Sequence, residues 1–139
     1  MNKKIGLKSL LILIINKMRQ RKTKQAELIK NEMKNFSNFF DAQTLHKEII
    51  KKDTTIGIAT IYRFLKDFQN EGKLHSYLCN RRAIYSTNKE NHCHFTCKIC
   101  KKTKHLDIKK VDFLKSGIVE EVCHFQIDLT GICQDCLKK

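Results

Sequence analysis

The sequence predicts an α+β fold, with helices first and short strands after them. Three observations carry this. Apolar residues recur at helical spacing through roughly the first seventy positions. Beyond Gly72 the period falls to roughly two, the spacing of strands. Two Cys-x-x-Cys pairs, Cys97/Cys100 and Cys133/Cys136, bracket the last third of the chain. Composition agrees: there is no proline or tryptophan and only 5 glycines in 139 residues, which favours helix over a loop-rich fold. At 41% hydrophobic and 30% charged, the chain has enough apolar surface to fold.

The elements follow in order. Leu7, Leu10, Leu11, Ile14, Ile15 and Met18 fall at i, i+3, i+4, i+7, i+8 and i+11, the stripe of a first amphipathic helix. Lys3 and Lys4 ahead of the apolar run 10–15 give it the outline of a signal peptide. Asn16, Lys17, Met18 and Arg19 then supply no small-residue cleavage site, and the run is too short to span a bilayer. Thr23 is a good N-cap for a second helix burying Ala26, Ile29 and Met33. Phe36, Phe39 and Phe40 form an apolar connector. Asp41 caps a third helix carrying Leu45, Ile49 and Ile50, and residues 53–56 read as a turn. A fourth helix runs from Gly57 to Gly72, the first an acceptable N-cap and the second placed for a left-handed C-terminal cap. Ile58, Ile61, Leu65 and Phe68 make its apolar face, while Ala59, Tyr62, Arg63, Lys66 and Asn70 lie outward, as on a helix that reads a major groove. Strands over 74–79 and 83–86 around Asn80, Arg81 and Arg82 complete a winged helix-turn-helix, with the arginines at the wing tip near phosphate or the minor groove. Residues 87–91 are a polar bridge. A Cys-x-x-Cys knuckle hairpin, a helix near 111–122 and a strand over 124–130 complete the chain.

Charge and cysteine usage narrow the function. The net charge is +14. Residues 1–90 carry 19 Lys/Arg against 8 Asp/Glu, so the excess base sits in the helical half, which suits a polyanion. The 7 cysteines are odd in number and four lie in Cys-x-x-Cys pairs, which points to metal in a reducing, cytoplasmic compartment rather than to disulfides. Cys97, Cys100, Cys133 and Cys136 supply four soft thiolates for one structural Zn2+ per chain, with no open coordination position. On the strand starting at His92, His92 and His94 share a face. If the knuckle pairs residue 94 with 105, His105 and Asp107 join that face, a set suited to Zn2+ or Fe2+. Cys79, Cys93 and Cys123 are left undecided among core residue, ligand and reactive thiol. No general base stands on a motif such as His-Glu-x-x-His, so an enzyme acting on a small-molecule substrate is not expected.

The residues resemble the ferric uptake regulator family of bacterial metal-dependent repressors over about 21–136. The carriers are RKTKQ at 21–25, like the family's RxTxQR; IATIYRFL at 58–65, close to LATVYRTL; HCHFTCKIC at 92–100, matching HxHxxCxxC; and GICQDC at 131–136, matching GxCxxC. The resemblance implies a winged-helix DNA-binding domain over 1–87 and a zinc-stabilised dimerisation and metal-sensing domain over 88–139. It implies a homodimer that binds a palindromic double-stranded DNA operator once a second, regulatory metal, Zn2+ or Fe2+, is loaded, and that controls metal-homeostasis genes. DNA contacts fall on Thr60, Tyr62 and Arg63, and the regulatory pair on His92 and His94. Tyr85 stands where iron-sensing members often carry a Glu ligand, the connector lacks their His, and His105 replaces a usual acid. His75 lies where zinc-sensing members often place a His or Asp; their usual Cys falls at Thr87, with Cys79 or Cys93 as substitutes. These departures lean towards the zinc-sensing branch, with metal at His75, His92, His94 and His105, and away from a peroxide sensor. A constitutive, zinc-stabilised DNA binder is the alternative.

Overall fold

The structure, a computed structural model, describes residues 7–110 and 112–139. The first two expected helices are one. α1 (Leu7–Met33) runs unbroken for 27 residues. Thr23 does not cap a new helix; its hydroxyl donates to the Arg19 carbonyl one turn back at 3.0 Å. Met18 to Gln25 are otherwise strong helix formers with no Gly or Pro among them, so nothing stops propagation. Only the second half of α1 packs, through the buried Ile29 and Met33. The apolar side chains from Leu7 to Met18 are all exposed, none of them buried, so the expected stripe is left largely uncovered among the described residues. No helix among the described residues is long and apolar enough to cross a membrane.

α2 (Ala42–Ile50) starts as its sequence dictates: Asp41 Oδ1 accepts from the Thr44 N–H at 2.7 Å. α3 (Ile58–Asn70) starts at Gly57 and stops in a Schellman motif. Gly72, at φ 71°, donates to the Gln69 carbonyl, and Lys73 donates to that of Phe68. Ile61 and Leu65 of α3, Leu45 and Ile49 of α2, and Ile29 and Met33 of α1 meet in one core, with Ile56 and Leu74 closing it. β1 (His75–Cys79) and β2 (Arg82–Ser86) pair antiparallel with Cys79 opposite Arg82. That leaves Asn80 and Arg81, both at positive φ, as a two-residue turn of type I′, whose twist suits a hairpin. Phe40 bridges Tyr85, stitching the hairpin to the chain after α1. The result is a winged helix-turn-helix.

The second half is a three-stranded sheet, order β4-β3-β5, built from β3 (His92–Cys97), β4 (Thr103–Leu106) and β5 (Gln126–Gly131). β3 pairs antiparallel with β4, His94 opposite His105, which is the register on which the histidine cluster depends. β5 lies parallel to β3 on its other side, with Asp128 opposite His94. The helix expected over 111–122 shortens to α4 (Asp112–Lys115), Val111 lying outside the described residues. Gly117 follows at once, and the β-branched Ile118 and Val119 are exposed, so neither propensity nor packing extends it. The last strand begins at Gln126 rather than 124, because the Phe125 N–H goes to the Asn91 side chain and Cys123 and His124 turn towards His75. α5 (Gln134–Leu137) closes the chain.

The two halves touch along β1. The Gln126 side-chain amide pairs with the backbone of Leu78, accepting from its N–H at 2.8 Å and donating to its carbonyl at 2.6 Å. The Tyr77 hydroxyl donates to the Glu90 carbonyl, and its ring lies between those of Phe39, His92 and His124.

Candidate metal centres and nucleic-acid interface

The two Cys-x-x-Cys pairs meet. β3 ends at Cys97 and its knuckle carries Cys100; Cys133 caps α5, which carries Cys136. All four sulfurs lie within 4.8 Å of one another, and Cys100 Sγ is 3.7 Å from Cys133 Sγ. A tetrahedral ion with metal–sulfur bonds near 2.3 Å needs an S–S edge of about 3.8 Å, so the thiols already stand at ligand spacing. The Cys133 N–H donates to Cys97 Sγ at 3.4 Å and is the main cause holding the Cys97 thiol down to about 6. Cys136 is pushed the other way, to about 12, first by its contact with the Cys133 thiol and then by burial. Four such thiols ionise together only with a cation among them.

The second cluster joins β3, β4 and β1. His92 and His94 are buried on one face of β3, with His105 across the hairpin. Their rings stand 4.3 to 5.3 Å apart. Cys79 comes in from the end of β1, its Sγ 3.6 Å from His105 Nε2. Burial, then the neighbouring His94 and His105, hold His92 below its ordinary pKa, so it presents a neutral imidazole. His94 Nδ1 donates to Asp128 Oδ1 at 2.8 Å, which leaves Nε2 as the free ring nitrogen. The Nε2 atoms of both His92 and His94 are buried without a hydrogen-bond partner, a cost that an ion among these donors removes. The donor set therefore fits a borderline divalent metal.

The structure groups the predicted candidates differently from the sequence pattern. Asp107 is not in this group; it is exposed and paired with Lys109 at 3.3 Å. β4 ends at Leu106, so nothing holds Asp107 against the sheet. His75 is also apart from His92, gathered instead with Cys123 and His124. It opens β1 whereas Cys79 ends it, so the strand's length separates them. Cys79 was left undecided, although His75, Tyr77 and Cys79 alternate along one face of β1. Cys93 faces away from both histidines, buried, with its thiol pushed up by burial; it is a small core residue. Asp128 was missed altogether, since a parallel pairing with β3 leaves no local signal.

On α3, Ala59, Tyr62, Arg63 and Lys66 are exposed along one side. Thr60 is half-buried with Arg63 in a groove against α1 beside Lys22 and Gln25. Arg81 and Arg82 are exposed at the wing tip. None of Arg63, Lys66, Arg81 or Arg82 is in a salt bridge among the described residues.

A winged helix with a basic outward face, joined to a sheet whose thiols and imidazoles stand at ligand spacing, defines the class of metal-dependent transcriptional regulators. The chain belongs to the ferric uptake regulator family, whose model matches residues 17–129. It is 27% identical over 112 residues to the ferric uptake regulation protein of Neisseria gonorrhoeae, covering 76% of this chain and 78% of that one. It is 26% identical over 123 residues to the zinc uptake regulation protein of Mycobacterium tuberculosis, covering 84% and 94%. Among solved structures, the Helicobacter pylori ferric uptake regulator, described as having three functional metal binding sites, superposes with a TM-score of 0.56 at 18% identity over 100% of this chain and 99% of that one.

Proposed function

We propose that the chain is a homodimeric, metal-responsive repressor that binds duplex DNA when a divalent metal, Zn2+ in preference to Fe2+, occupies Cys79, His92, His94 and His105. The observation that carries this is the pair of orphaned, buried Nε2 atoms on His92 and His94, aimed at a thiol delivered from the wing. A thiolate in the set favours zinc over iron. One Zn2+ held by Cys97, Cys100, Cys133 and Cys136 is structural, since four thiolates leave no open position. The division into a DNA-binding unit over 1–87 and a sensing and dimerisation unit over 88–139 fits this assignment, and the exposed Ile118, Val119, Val122 and Leu129 offer apolar surface for a second copy.

The bound ion supplies the positive charge that lets one thiol and three imidazoles converge. The chain's residues do the rest. Asp128 orients His94, β1 delivers Cys79, and the Gln126–Leu78 pairing holds that strand against the sheet. Closing this contact fixes the wing and α3 relative to the second unit, and so fixes the spacing of two recognition helices in a dimer. A near-complete switch requires the closed form to be favoured by about 5 kcal/mol. Tyr62, Arg63 and Thr60 then reach base edges or phosphate, with Ala59 allowing close approach, and Lys66, Arg81 and Arg82 contacting backbone or minor groove.

The test is metal per chain by elemental analysis, and affinity for duplexes selected from a random-sequence pool, in wild type and in His92→Ala/His94→Ala. The variant is expected to lose one metal per chain and its metal-dependent DNA binding. Equal DNA affinity for both proteins under every metal condition overturns the proposal and leaves a constitutive, zinc-stabilised binder.

A further inference from the structure

We propose that His75, Cys123 and His124 form a divalent-metal site of their own, separate from the Cys79/His92/His94/His105 cluster, which clamps the start of β1 to the segment entering β5. The three donors come from two parts of the chain that nothing in the local sequence brings together. Cys123 Sγ lies 3.5 Å from His75 Nδ1 and 3.4 Å from His124 Nδ1, and all three atoms fall within 4.8 Å of one another. With metal–sulfur and metal–nitrogen bonds near 2.3 and 2.0 Å, a tetrahedral ion needs an S–N edge of about 3.5 Å, so both observed edges match. A thiol has one weak S–H to offer, yet two ring nitrogens converge on this one sulfur.

The ligand chemistry selects the ion. Two imidazoles and a thiolate suit Zn2+ or Co2+; Mg2+ and Ca2+ require oxygen donors. Burial is graded, with His75 buried, His124 half-buried and Cys123 exposed. Cys123 and His124 also line a cavity of about 370 Å³, together with Lys89, Asn91, Leu114 and Ile118. An ion thus has an entry path, and its fourth position is open to water from the cavity.

The consequence lies in β1. His75, Tyr77 and Cys79 alternate along one face of this strand. His75 belongs to the new site, Tyr77 packs on both His92 and His124, and Cys79 belongs to the regulatory cluster. The strand is therefore gripped at both ends, about 13 Å apart. The new site needs neither the cysteine centre nor metal at His92 and His94.

Alkylation of Cys123 by iodoacetamide, followed by peptide mass analysis of the intact, zinc-containing protein, tests this directly. Added Zn2+ at about ten times its Kd for the site is expected to slow alkylation about tenfold. The slowing should persist in His92→Ala/His94→Ala and vanish in His75→Ala. In a Cys79→Ser/His92→Ala/His94→Ala background, Co2+ should still give a thiolate-to-cobalt charge-transfer band that is lost on Cys123→Ser. Unchanged Cys123 alkylation in wild type with and without Zn2+ overturns the proposal. So does protection that disappears in His92→Ala/His94→Ala, which makes it a by-product of closure at the other cluster. If the regulatory reading fails instead, His92→Ala/His94→Ala leaves DNA binding unchanged while Cys123 protection stays.

Discussion

At His94 the chemistry of the proposed regulatory cluster is set by a residue outside its four donors. Asp128 accepts from Nδ1, fixes the tautomer and turns Nε2 towards Cys79, His92 and His105. Its side chain is 66% exposed, so replacing it leaves the core alone. Asp128→Asn is expected to weaken the regulatory metal by about 10- to 100-fold without moving the urea midpoint of the metal-free protein. Competition with a metal indicator reads the first quantity. Unchanged affinity means that the strand alone orients the imidazole. On α3, Arg63 is exposed and in no salt bridge among the described residues, so its guanidinium is available to a partner. Arg63→Ala should cost about 1–3 kcal/mol against the preferred duplex and little against random sequence if it meets a base edge. Equal loss on every sequence places it on phosphate.

Among the elements, α3 is the one its own residues specify most fully. Gly57, the Ile61/Leu65 stripe and Gly72 set its start, its buried face and its end. A Cβ at Gly72 meets nothing within 4 Å, so Gly72→Ala carries backbone strain alone, about 1 kcal/mol at φ 71°. A urea titration should show that loss with an unchanged m-value. A neutral result requires Glu71 to Lys73 to refold into another cap. The same locality explains what was readable beforehand. Asp41, Gly57, Gly72 and the alternation after Leu74 are signals written within a few residues, and the four cysteines announce themselves by spacing. The join of the first two helices was not readable, because Thr23 serves equally as a cap or as an interior residue bonded to Arg19. Nor was the short α4, since an apolar period predicts a helix only where something covers it, and Val119 is wholly exposed. Cys79 and Asp128 entered the cluster through pairings of strands distant in sequence, which no window of residues contains.

Across the whole molecule, the contact between the halves carries an imidazole at each end that folding keeps neutral. His75 is held below its ordinary value of 6.5 by burial, then by His124 and Lys89; His92 by burial, then by His94 and His105. Both folded values lie below the unfolded one. Below pH 6.5 the unfolded chain therefore takes up these protons more readily than the folded chain does. The stability linked to these groups is fully present above 6.5 and is lost as pH falls through their folded values. Asp41 and Asp53, held below 3.8 by hydrogen bonds from Thr44 and Thr55, act in a lower window and do not blur this one. The urea midpoint, measured without added metal from about pH 7 down to about pH 5, should therefore fall in wild type and fall less in His75→Ala/His92→Ala. The four-cysteine centre is common to both proteins, so the difference between their slopes isolates the two imidazoles. At both of the proposed metal sites protons and metal would compete for the same nitrogens, so mild acid should also release metal bound there. Identical slopes in the two proteins would mean that solvent reaches both rings in the folded state, and that the halves part before either histidine is protonated.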